Sequence, residues 1–385
     1  MVASPPVKRV LVVGAGLAGA VFARELAENS DIQISVVDRS DHVAGNCHTH
    51  RDVQTGVMVH AYGPHIFHTS NAYVWSFVQR FAQMMPFTNR VKAHIDRGVF
   101  GLPINLHTIN QFFGRSFNPQ EAREFCASLA QAPKGEPANF EEQALALIGP
   151  ELYEAFFYGY TRKQWGCEPV ELPATLLQRL PLRFNYDDSY YADTWQAIPR
   201  DGYTQMVENI LDHPSINLRL QCEFESSMAD EYDHTCYTGP LDGYFDYQFG
   251  RLGYRTVFWE RMEGRGDLQG NAVINYPGMD KAFTRIHEHK HFAPWEQHDH
   301  SVAFVEYSKE TQAGDLPFYP KRLAADKQRL LQYRNLAEQT PGVSFLGRLG
   351  TYRYLDMHHV IGESLEVASQ FLQAGRMPTF PNQER

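Results

Sequence analysis

The chain of 385 residues contains few cysteines and no long apolar run. Its five cysteines are odd in number and include no CxxC pair, which argues against a disulfide framework or a structural zinc site. No stretch approaches the roughly twenty uninterrupted apolar residues that a membrane span requires. These absences predict a soluble globular protein with reduced cysteines, and the length leaves room for two or three domains.

The chain also lacks an excess of basic residues. Its 35 Lys and Arg residues against 45 Asp and Glu residues give a net charge of −10, which disfavours non-specific binding to nucleic acid or to an anionic membrane. An anionic small ligand would therefore need a local concentration of arginines. Repeats of fixed period and low-complexity segments are absent as well.

The most informative segment is KRVLVVGAGLAG, residues 8–19, in which an apolar strand leads into a glycine turn and a helix. Gly14 permits the tight turn, Gly16 lets a pyrophosphate approach the backbone, and Gly19 lets the helix pack closely on the strand. A second apolar strand ends at Asp38, at the distance where a carboxylate binds the adenosine ribose. This order predicts a dinucleotide cofactor.

A secretory signal is the competing interpretation of the same segment. Lys8 and Arg9 precede an apolar run that ends in AVFA, which resembles the charged and hydrophobic parts of such a signal. Three glycines interrupt that run where a phosphate turn needs them, and cleavage would remove the strand. We therefore expect a cytoplasmic protein.

Two segments follow that could face the cofactor. DHVAGNCH, residues 41–48, is rich in turn residues, and Gly45 could pass close to the phosphates. His60, His65 and His68 have a spacing that matches neither a helical i, i+4 pair nor a known zinc motif, so we predict no metal. His65 lies on a constrained turn after a proline and is expected to face the cofactor.

The remaining pattern predicts three structural parts. Residues 106–190 are mainly helical, residues 244–306 carry the β-branched and aromatic residues of an antiparallel sheet, and an α/β rhythm returns after residue 323. The expected fold is α/β, with a Rossmann-like dinucleotide-binding domain assembled from discontinuous segments, an inserted helical domain and an antiparallel β-sheet domain. The expected boundaries are 1–79, 210–243 and 324–385 for the first domain, 108–190 for the helical domain, and 80–107, 191–209 and 244–323 for the sheet domain.

The segment ELYEAFFYGYTRKQWG, residues 151–166, places aromatic residues at helical spacing. Phe156 and Tyr160 are four residues apart and would project from one helix face, as would Tyr153 and Phe157. Such a pair can hold a nucleotide base, and stacking on one aromatic side chain contributes about 1 to 3 kcal/mol. Packing in the core is the equally weighted alternative.

Arginines lie downstream of this helix. Arg179 and Arg183 are followed closely by tyrosines, and a guanidinium fork matches the geometry of a phosphate. In TRIHEHKHF, residues 284–292, an extended strand would place Arg285 on one face with His287, His289 and His291. A solvated basic edge is the alternative for this second group.

Several segments of the chain are long and compositionally unusual: VVGAGLAG, DHVAGNCH, YGPHIFHT, GYTRKQWG, RLPLRFNYDD, TRIHEHKHF, LPFYP and GRLGTYRYLDM. Together these segments resemble the bacterial UDP-galactopyranose mutases over nearly the whole chain.

The resemblance implies FAD as the tightly held cofactor, active when reduced, with NADPH or NADH as the reductant. It implies the interconversion of UDP-galactopyranose and UDP-galactofuranose by ring contraction. In that reaction N5 of reduced FAD is the nucleophile at the anomeric carbon, and no net redox change occurs. A loop after the aromatic helix would close over the nucleotide and carry Arg179 inward.

The resemblance also implies roles for individual residues. The expected catalytic residues are Arg179, Arg285, His65, Tyr354 and Asp356. The expected substrate-binding residues are Phe156, Tyr160, Thr161, Trp165, Arg179, Tyr190, Asn275, Arg285, Tyr319 and Tyr354. The expected cofactor-binding residues are Gly14, Gly16, Gly19, Asp38, Gly45, Asn46, His65, Arg348, Tyr354, Asp356 and Met357.

Two other functions share parts of this pattern. A flavin amine oxidase or related dehydrogenase would produce hydrogen peroxide in stoichiometric amounts and would need no prior reduction. A non-catalytic sensor of nucleotide sugars would bind UDP without using a flavin in catalysis. For all three we expect no nucleic-acid or membrane partner, and for the mutase we expect a homodimer.

Overall fold

A computed structural model describes residues 8–131, 133, 135–179, 182–375 and 378–381, without the side chains of residues 178, 179 and 324. Within these ranges the chain forms four β-sheets and eleven α-helices. No helix of the described ranges is long and apolar enough to cross a membrane.

The strands, in chain order, are β1 (Arg9–Val13), β2 (Gln33–Val37), β3 (Thr49–Arg51), β4 (Met58–His60), β5 (Phe67–Thr69), β6 (Met84–Pro86), β7 (Val91–Ile95), β8 (Gly98–Leu102), β9 (Trp195–Pro199), β10 (Ile216–Arg219), β11 (His234–Tyr237), β12 (Tyr254–Arg265), β13 (Val273–Asn275), β14 (Arg285–Glu288), β15 (His300–Glu310), β16 (Tyr319–Pro320) and β17 (Val343–Phe345).

The α-helices are α1 (Leu17–Asn29), α2 (Ala72–Gln79), α3 (Leu106–Phe113), α4 (Pro119–Leu129), α5 (Phe140–Tyr153), α6 (Gly159–Trp165), α7 (Gly202–Leu211), α8 (Leu241–Tyr244), α9 (Ala324–Glu338), α10 (Gly347–Gly350) and α11 (Met357–Ala374). A π-helix, Glu154–Tyr158, lies between α5 and α6.

A five-stranded parallel sheet, in the order β10-β2-β1-β11-β17, forms the dinucleotide-binding part. In β1, Val10 and Val12 face one core cluster with α1 and α11, whereas Leu11 and Val13 face a second cluster that includes Tyr333. Both faces are therefore covered, as is typical of parallel sheets. The strands come from separated parts of the chain, which confirms the predicted discontinuous assembly, while the individual domain boundaries stay predictions.

The second large sheet has the order β16-β12-β15-β14-β13-β7-β8. Its pairs are antiparallel except one, because β13 and β7 run parallel. The predicted antiparallel sheet is thus confirmed, with one parallel pair within it. The hairpin of β7 and β8 is separated from β13 by the whole helical region, and a connection of that length allows either strand direction.

Residues 106–190 are mainly helical as predicted, with α3 to α6 and short 3₁₀ turns. The aromatic segment within them is not a uniform α-helix. The π-helix bonds residues i and i+5 and so changes the relation between side chains four residues apart. This change affects how the aromatic side chains of residues 153–160 are presented.

Candidate functional site

The glycine turn between β1 and α1 is shaped by close backbone approaches. Gly14 has a φ of +109°, and a Cβ atom there would lie 2.0 Å from Thr238 Oγ1. A Cβ atom on Gly19 would lie 2.1 Å from the carbonyl oxygen of Gly14. Both positions therefore require glycine, for the two reasons predicted from the sequence: a turn with positive φ and a close approach of helix to strand.

Asp38 follows β2 and stabilises this turn. Its Oδ2 accepts a hydrogen bond from the Ala15 amide at 2.8 Å, and its Oδ1 accepts one from the Ser40 amide at 2.8 Å. The carboxylate is thus fixed beside the turn by backbone donors. A contact between Asp38 and a ribose stays a prediction.

Gly16 and Gly45 face each other across a cradle of bare backbone. Gly16 caps α1 without any side-chain hydrogen bond, and a Cβ atom on Gly45 would lie 3.4 Å from Gly16 Cα. The Ala44 amide donates to the Ala15 carbonyl oxygen at 2.9 Å, which holds the second segment against the first. A helix N-terminus beside side-chain-free backbone suits a pyrophosphate. Asn46 follows Gly45 in the 3₁₀ turn Gly45–Cys47.

A second cluster surrounds Arg348. Its Nε and Nη2 atoms donate to the Leu355 carbonyl oxygen at 3.2 and 2.6 Å. Its Cζ lies 4.7 Å from the centre of the Tyr354 ring. The Tyr354 ring stacks on Tyr319, with ring centres 5.7 Å apart and planes within 13°. These contacts fix a cation and two phenols next to one another.

His65 lies near this cluster and stays neutral. Its Nδ1 lies 2.8 Å from the Gly63 carbonyl oxygen, so this nitrogen carries the proton in the neutral ring. Burial lowers the pKa of His65 to about 4, and the nearby cations of Arg348 and Arg285 also lower it. His65 thus lies close to both arginines.

The start of α11 lies beside the same residues. Asp356 is its N-terminal cap residue and Met357 its first residue, as the sequence predicted. Burial raises the pKa of Tyr191, and the charges that act on that phenol include Asp356, Tyr354 and Arg285. The N-terminal end of this 18-residue helix, which has the positive end of the helix dipole, therefore approaches the cluster.

Arg285 is held by a buried carboxylate. Its Nε and Nη2 atoms donate to the two Glu306 carboxylate oxygens at 2.8 and 2.9 Å, and Glu306 is completely buried. Burial disfavours the Arg285 cation, yet Glu306 holds its pKa well above the usual value. The pair fixes the guanidinium in one orientation and leaves its remaining N–H donors for another group.

The histidines after Arg285 do not share its face in the predicted way. Of these four residues, Arg285 and His287 lie on β14, whereas His289 and His291 lie in the 3₁₀ helix His289–Phe292 that follows it. The expectation of four side chains on one strand face is therefore wrong for His289 and His291. Burial, together with the charge of Arg285, keeps the pKa of His287 well below its usual value.

Tyr160 lies beside Arg285 although the two residues belong to different elements. Burial raises the pKa of Tyr160, and the charges acting on this phenol belong to Arg285, Glu306, Tyr190 and Tyr319. These groups consequently converge on one place. Trp165, at the end of α6, lies 6.4 Å from Tyr319 between ring centres, and Thr161 is buried on the same helix.

Phe156 lies in the core. It is 3% exposed, and its ring centre lies 5.5 Å from those of both Phe100 and Phe112. Phe156 belongs to the π-helix, whereas Tyr160 belongs to α6, so the two side chains do not have the spacing of a continuous α-helix. The structure thus favours the core-packing alternative for Phe156, and base stacking there stays an untested expectation.

The structure describes the side chain of Arg183 but not that of Arg179, the two arginines that precede the tyrosines. Arg179 ends the 3₁₀ turn Ala174–Arg179, and its side chain lies outside the described part of the structure. Arg183 donates to Asp187 Oδ2 at 2.8 Å and to the Ser189 carbonyl oxygen, so it stabilises a local turn.

Three functional candidates emerge from buried polar atoms. Asn275 was expected from the resemblance, and its Oδ1 is buried without a hydrogen-bond partner among the described residues. The side-chain Oδ1 of Asn89 is likewise buried without a hydrogen-bond partner among the described residues. The backbone carbonyl oxygen of Asn89 accepts a hydrogen bond from the Tyr190 amide at 2.8 Å. Nothing in the sequence indicated a role for this residue. Glu306 was missed as well, although a lone glutamate in the apolar strand SVAFVEYS indicates a buried partner for a cation.

The predicted absence of a metal stays a prediction. In the described residues, the ligand atoms close enough together to hold an ion belong to Asp267, Glu288 and His291. Lys290 forms an ion pair with Asp267 at that place, and Glu288 already accepts hydrogen bonds from backbone amides. The histidines considered from the sequence are not part of this group.

Comparison with known proteins decides the family. The family model of UDP-galactopyranose mutase matches residues 155–354, and a model of the NAD(P)-binding Rossmann-like domain matches residues 12–81. A probable UDP-galactopyranose mutase of Klebsiella pneumoniae is 52% identical over 97% of this chain and 98% of its own length. The chain belongs to the UDP-galactopyranose mutase family.

Other relatives define the breadth of the resemblance. A dTDP-fucopyranose mutase of Escherichia coli is 44% identical over 95% of this chain and 98% of its own length. A crystal structure of reduced UDP-galactopyranose mutase superposes with a TM-score of 0.78 at 16% identity, covering 98% of this chain and 96% of that chain. Membership of the UDP-galactopyranose mutase family identifies the chain as an isomerase with a dinucleotide-binding domain, which supports a bound flavin.

Proposed function

We propose that the chain interconverts UDP-galactopyranose and UDP-galactofuranose with bound FAD. The observation that carries this proposal is the convergence of two clusters in a member of this family. Arg285, Tyr160 and Tyr319 form one, and Arg348 with Tyr354 forms the other, with Tyr319 stacked on Tyr354 between them. One cluster suits a nucleotide diphosphate and the other suits the polar edge of a flavin.

The residues present suit FAD. The bare backbone of Gly16 and Gly45 and the uncapped start of α1 would hold the pyrophosphate, with Asp38 beside the adenosine ribose. Arg348 and the first amides of α11 would meet the polar edge of the isoalloxazine ring. When bound and reduced, FAD would supply a nucleophilic nitrogen, N5, for attack on the anomeric carbon.

The chain itself would stabilise the departing UDP. Arg285 provides a fixed positive charge because Glu306 holds it in place. Burial, partly opposed by Arg285, raises the pKa of Tyr319 to about 12, and burial also raises the pKa of Tyr160. Both phenols therefore keep their protons at neutral pH. Tyr319 would donate a hydrogen bond to a phosphate oxygen, and Tyr160 would offer its ring and its hydroxyl to the base.

His65 and Asn275 complete the arrangement in this proposal. The neutral His65 adds no positive charge near Arg285, so the attraction for the diphosphate comes from the guanidinium and not from the imidazole. The unpaired Oδ1 of Asn275 lies on the strand residue that pairs with Arg285 and can accept a hydrogen bond from a ligand hydroxyl.

The Escherichia coli relative makes the nucleotide sugar itself a question, because that protein is named a dTDP-fucopyranose mutase. The test is to supply the reduced protein with UDP-galactopyranose or dTDP-fucopyranose and to separate the isomers by chromatography. We expect a second isomer of the UDP sugar with the higher kcat/KM. A preference for the dTDP sugar would replace the proposed substrate, and stoichiometric hydrogen peroxide would indicate an oxidase instead.

The remaining expectations are part of the same proposal. The five cysteines are unpaired, in agreement with a cytoplasmic location. A homodimer and NADPH or NADH as the reductant stay proposals, and size-exclusion chromatography with light scattering and anaerobic reduction rates would test them.

A further inference from the structure

Lys163 makes contacts that the proposed reaction does not use. Its Nζ lies within hydrogen-bond distance of four backbone carbonyl oxygens, at 2.5 Å from Tyr276, 2.8 Å from Gly278, 3.1 Å from Lys281 and 2.9 Å from Phe283. An ammonium group has three N–H donors, so four acceptors saturate it completely. Lys163 therefore has no donor left for a substrate phosphate.

All four acceptors belong to one loop. Residues 276–283, here called the hairpin loop, connect β13 to β14. Asn275 and Arg285 stand opposite each other at its base, and the Tyr276 amide donates to the Thr284 carbonyl oxygen at 2.8 Å. The Lys163 ammonium group thus hydrogen-bonds to backbone carbonyl oxygens along the loop that leads to Arg285.

Lys163 itself belongs to the helix that carries Tyr160. Gly159, one turn earlier on the same face of α6, also meets the hairpin loop, and a Cβ atom there would lie 2.2 Å from the Pro277 carbonyl oxygen. One face of α6 therefore packs against the hairpin loop through two contacts, that of Lys163 and that of Gly159.

The charge of Lys163 is retained in this environment. Burial lowers its pKa to about 8, and Asp280 on the hairpin loop opposes that effect. The ammonium consequently remains the main form at pH 7, and its attraction for carbonyl dipoles is stronger than that of a neutral donor.

We propose that Lys163 is a positioning residue that fixes the distance between the base-binding helix α6 and the diphosphate-binding Arg285. This inference rests on the proposed function, in which Tyr160 and Arg285 hold two ends of one covalent ligand. Because base and diphosphate are linked, their two sites bind together only at the correct separation. The contacts of Lys163 set that separation before the ligand arrives.

The test compares UDP with uridine on the flavin-loaded protein. In Lys163→Met we expect the dissociation constant of UDP to rise about tenfold or more, because the two sites are no longer held at one separation. Uridine reaches only one of the sites, so its dissociation constant should change by less than about twofold. Titration calorimetry measures UDP, and ligand-observed NMR measures uridine.

Three further variants exclude a merely structural effect. Lys163→Arg keeps a charged donor and should recover part of the UDP affinity, whereas Gly159→Ala should reproduce the loss by pushing the hairpin loop away. Lys327→Met, at an exposed lysine of α9, is the matched control and should bind UDP normally. Flavin content and circular dichroism show whether each variant is folded.

Each outcome decides the inference. Equal losses for uridine and UDP would show that Lys163 only supports α6, and unchanged UDP binding in a folded Lys163→Met protein would show that it positions nothing. Either result overturns the inference but leaves the mutase proposal intact. Failure of the unaltered protein to bind UDP would instead overturn the proposed function, and the inference with it.

Discussion

The cofactor region is formed mainly by backbone groups, whereas the nucleotide region is formed mainly by side chains. Around Gly14, Gly16 and Gly45 the site consists of backbone, and its shape depends on the absence of side chains. Around Arg285 and Tyr160 it consists of side chains that are buried and paired. Adding one carbon atom should therefore destroy the first region, whereas removing side-chain atoms should weaken the second in graded steps.

The largest effect on the cofactor region is expected from Gly19→Ala. Its Cβ atom would lie 2.1 Å from the Gly14 carbonyl oxygen and 2.9 Å from Val12 Cγ1, so the helix must move away from the strand. We expect loss of most bound flavin and a decrease of about 3 kcal/mol in the free energy of unfolding. Absorbance of the purified protein at 450 nm and chemical denaturation measure the two effects.

Gly362→Ala is the matched control, because Gly362 also lies within an α-helix. Its Cβ atom would make an ordinary contact of 3.5 Å with Val74 Cγ2. That variant should keep its flavin and gain up to about 1 kcal/mol in stability. Normal flavin binding by Gly19→Ala would show that the close helix–strand approach is not required.

In the nucleotide region, Arg285→Ala should have two separable effects. UDP binding should weaken by about 1.5 to 3 kcal/mol through loss of a charged hydrogen-bond donor. Stability should fall by about 3 kcal/mol because Glu306, which is completely buried, loses its partner. Calorimetry and denaturation measure the two quantities.

The double variant Arg285→Ala with Glu306→Gln separates these effects. It should restore much of the stability, since no buried charge remains, without restoring UDP affinity. Recovery of UDP binding in the double variant would mean that Arg285 serves only to neutralise Glu306.

Much of the cofactor region could be predicted from the sequence, because its determinants are local. The strand, the glycine turn and Asp38 all lie within one stretch of 31 residues, 8–38, and a single motif specifies their relation. The nucleotide region could be predicted only through the family resemblance. Arg285 and Tyr160 are far apart in sequence, and no periodicity shows that they meet.

Three local features depart from the regular patterns for the same reason. The parallel pairing of β13 with β7, the π-helix before α6 and the 3₁₀ helix after β14 all depend on tertiary contacts. Extended alternation and regular helical spacing are local rules, so they fail where packing imposes another geometry. Glu306 could have been noticed as a charge in an apolar strand, whereas Asn89 could not.

Two aromatic variants sharpen the comparison within the nucleotide region. Tyr160→Ala should weaken UDP binding by about 1 to 3 kcal/mol through loss of stacking and of a hydroxyl donor, with little change in stability. Phe156→Ala should instead reduce stability by about 3 to 5 kcal/mol because it leaves a cavity between Phe100 and Phe112. Calorimetry at a temperature where both variants are folded separates the two roles, and weakened UDP binding in Phe156→Ala would restore the stacking assignment.

A last effect concerns pH at the boundary between the regions. Burial lowers the pKa of His65 to about 4 in the folded protein, below the ordinary value of 6.5 in the unfolded chain. The unfolded chain therefore binds the extra proton first, so His65 contributes stability above pH 6.5 that is lost as the pH falls towards 4. In His65→Asn the acid-induced loss of stability should be smaller, and an identical pH dependence in urea denaturation would contradict the assignment.

The central claim is that the two regions act on one substrate through reduced FAD. It is tested most directly by incubating one preparation of the protein with UDP-galactopyranose, either oxidised or reduced with dithionite, and quantifying UDP-galactofuranose by chromatography. The account predicts the furanose isomer in the reduced sample alone, with no loss of reducing equivalents per turnover. Equal conversion by the oxidised protein, or no conversion by a reduced protein that contains flavin, would contradict it.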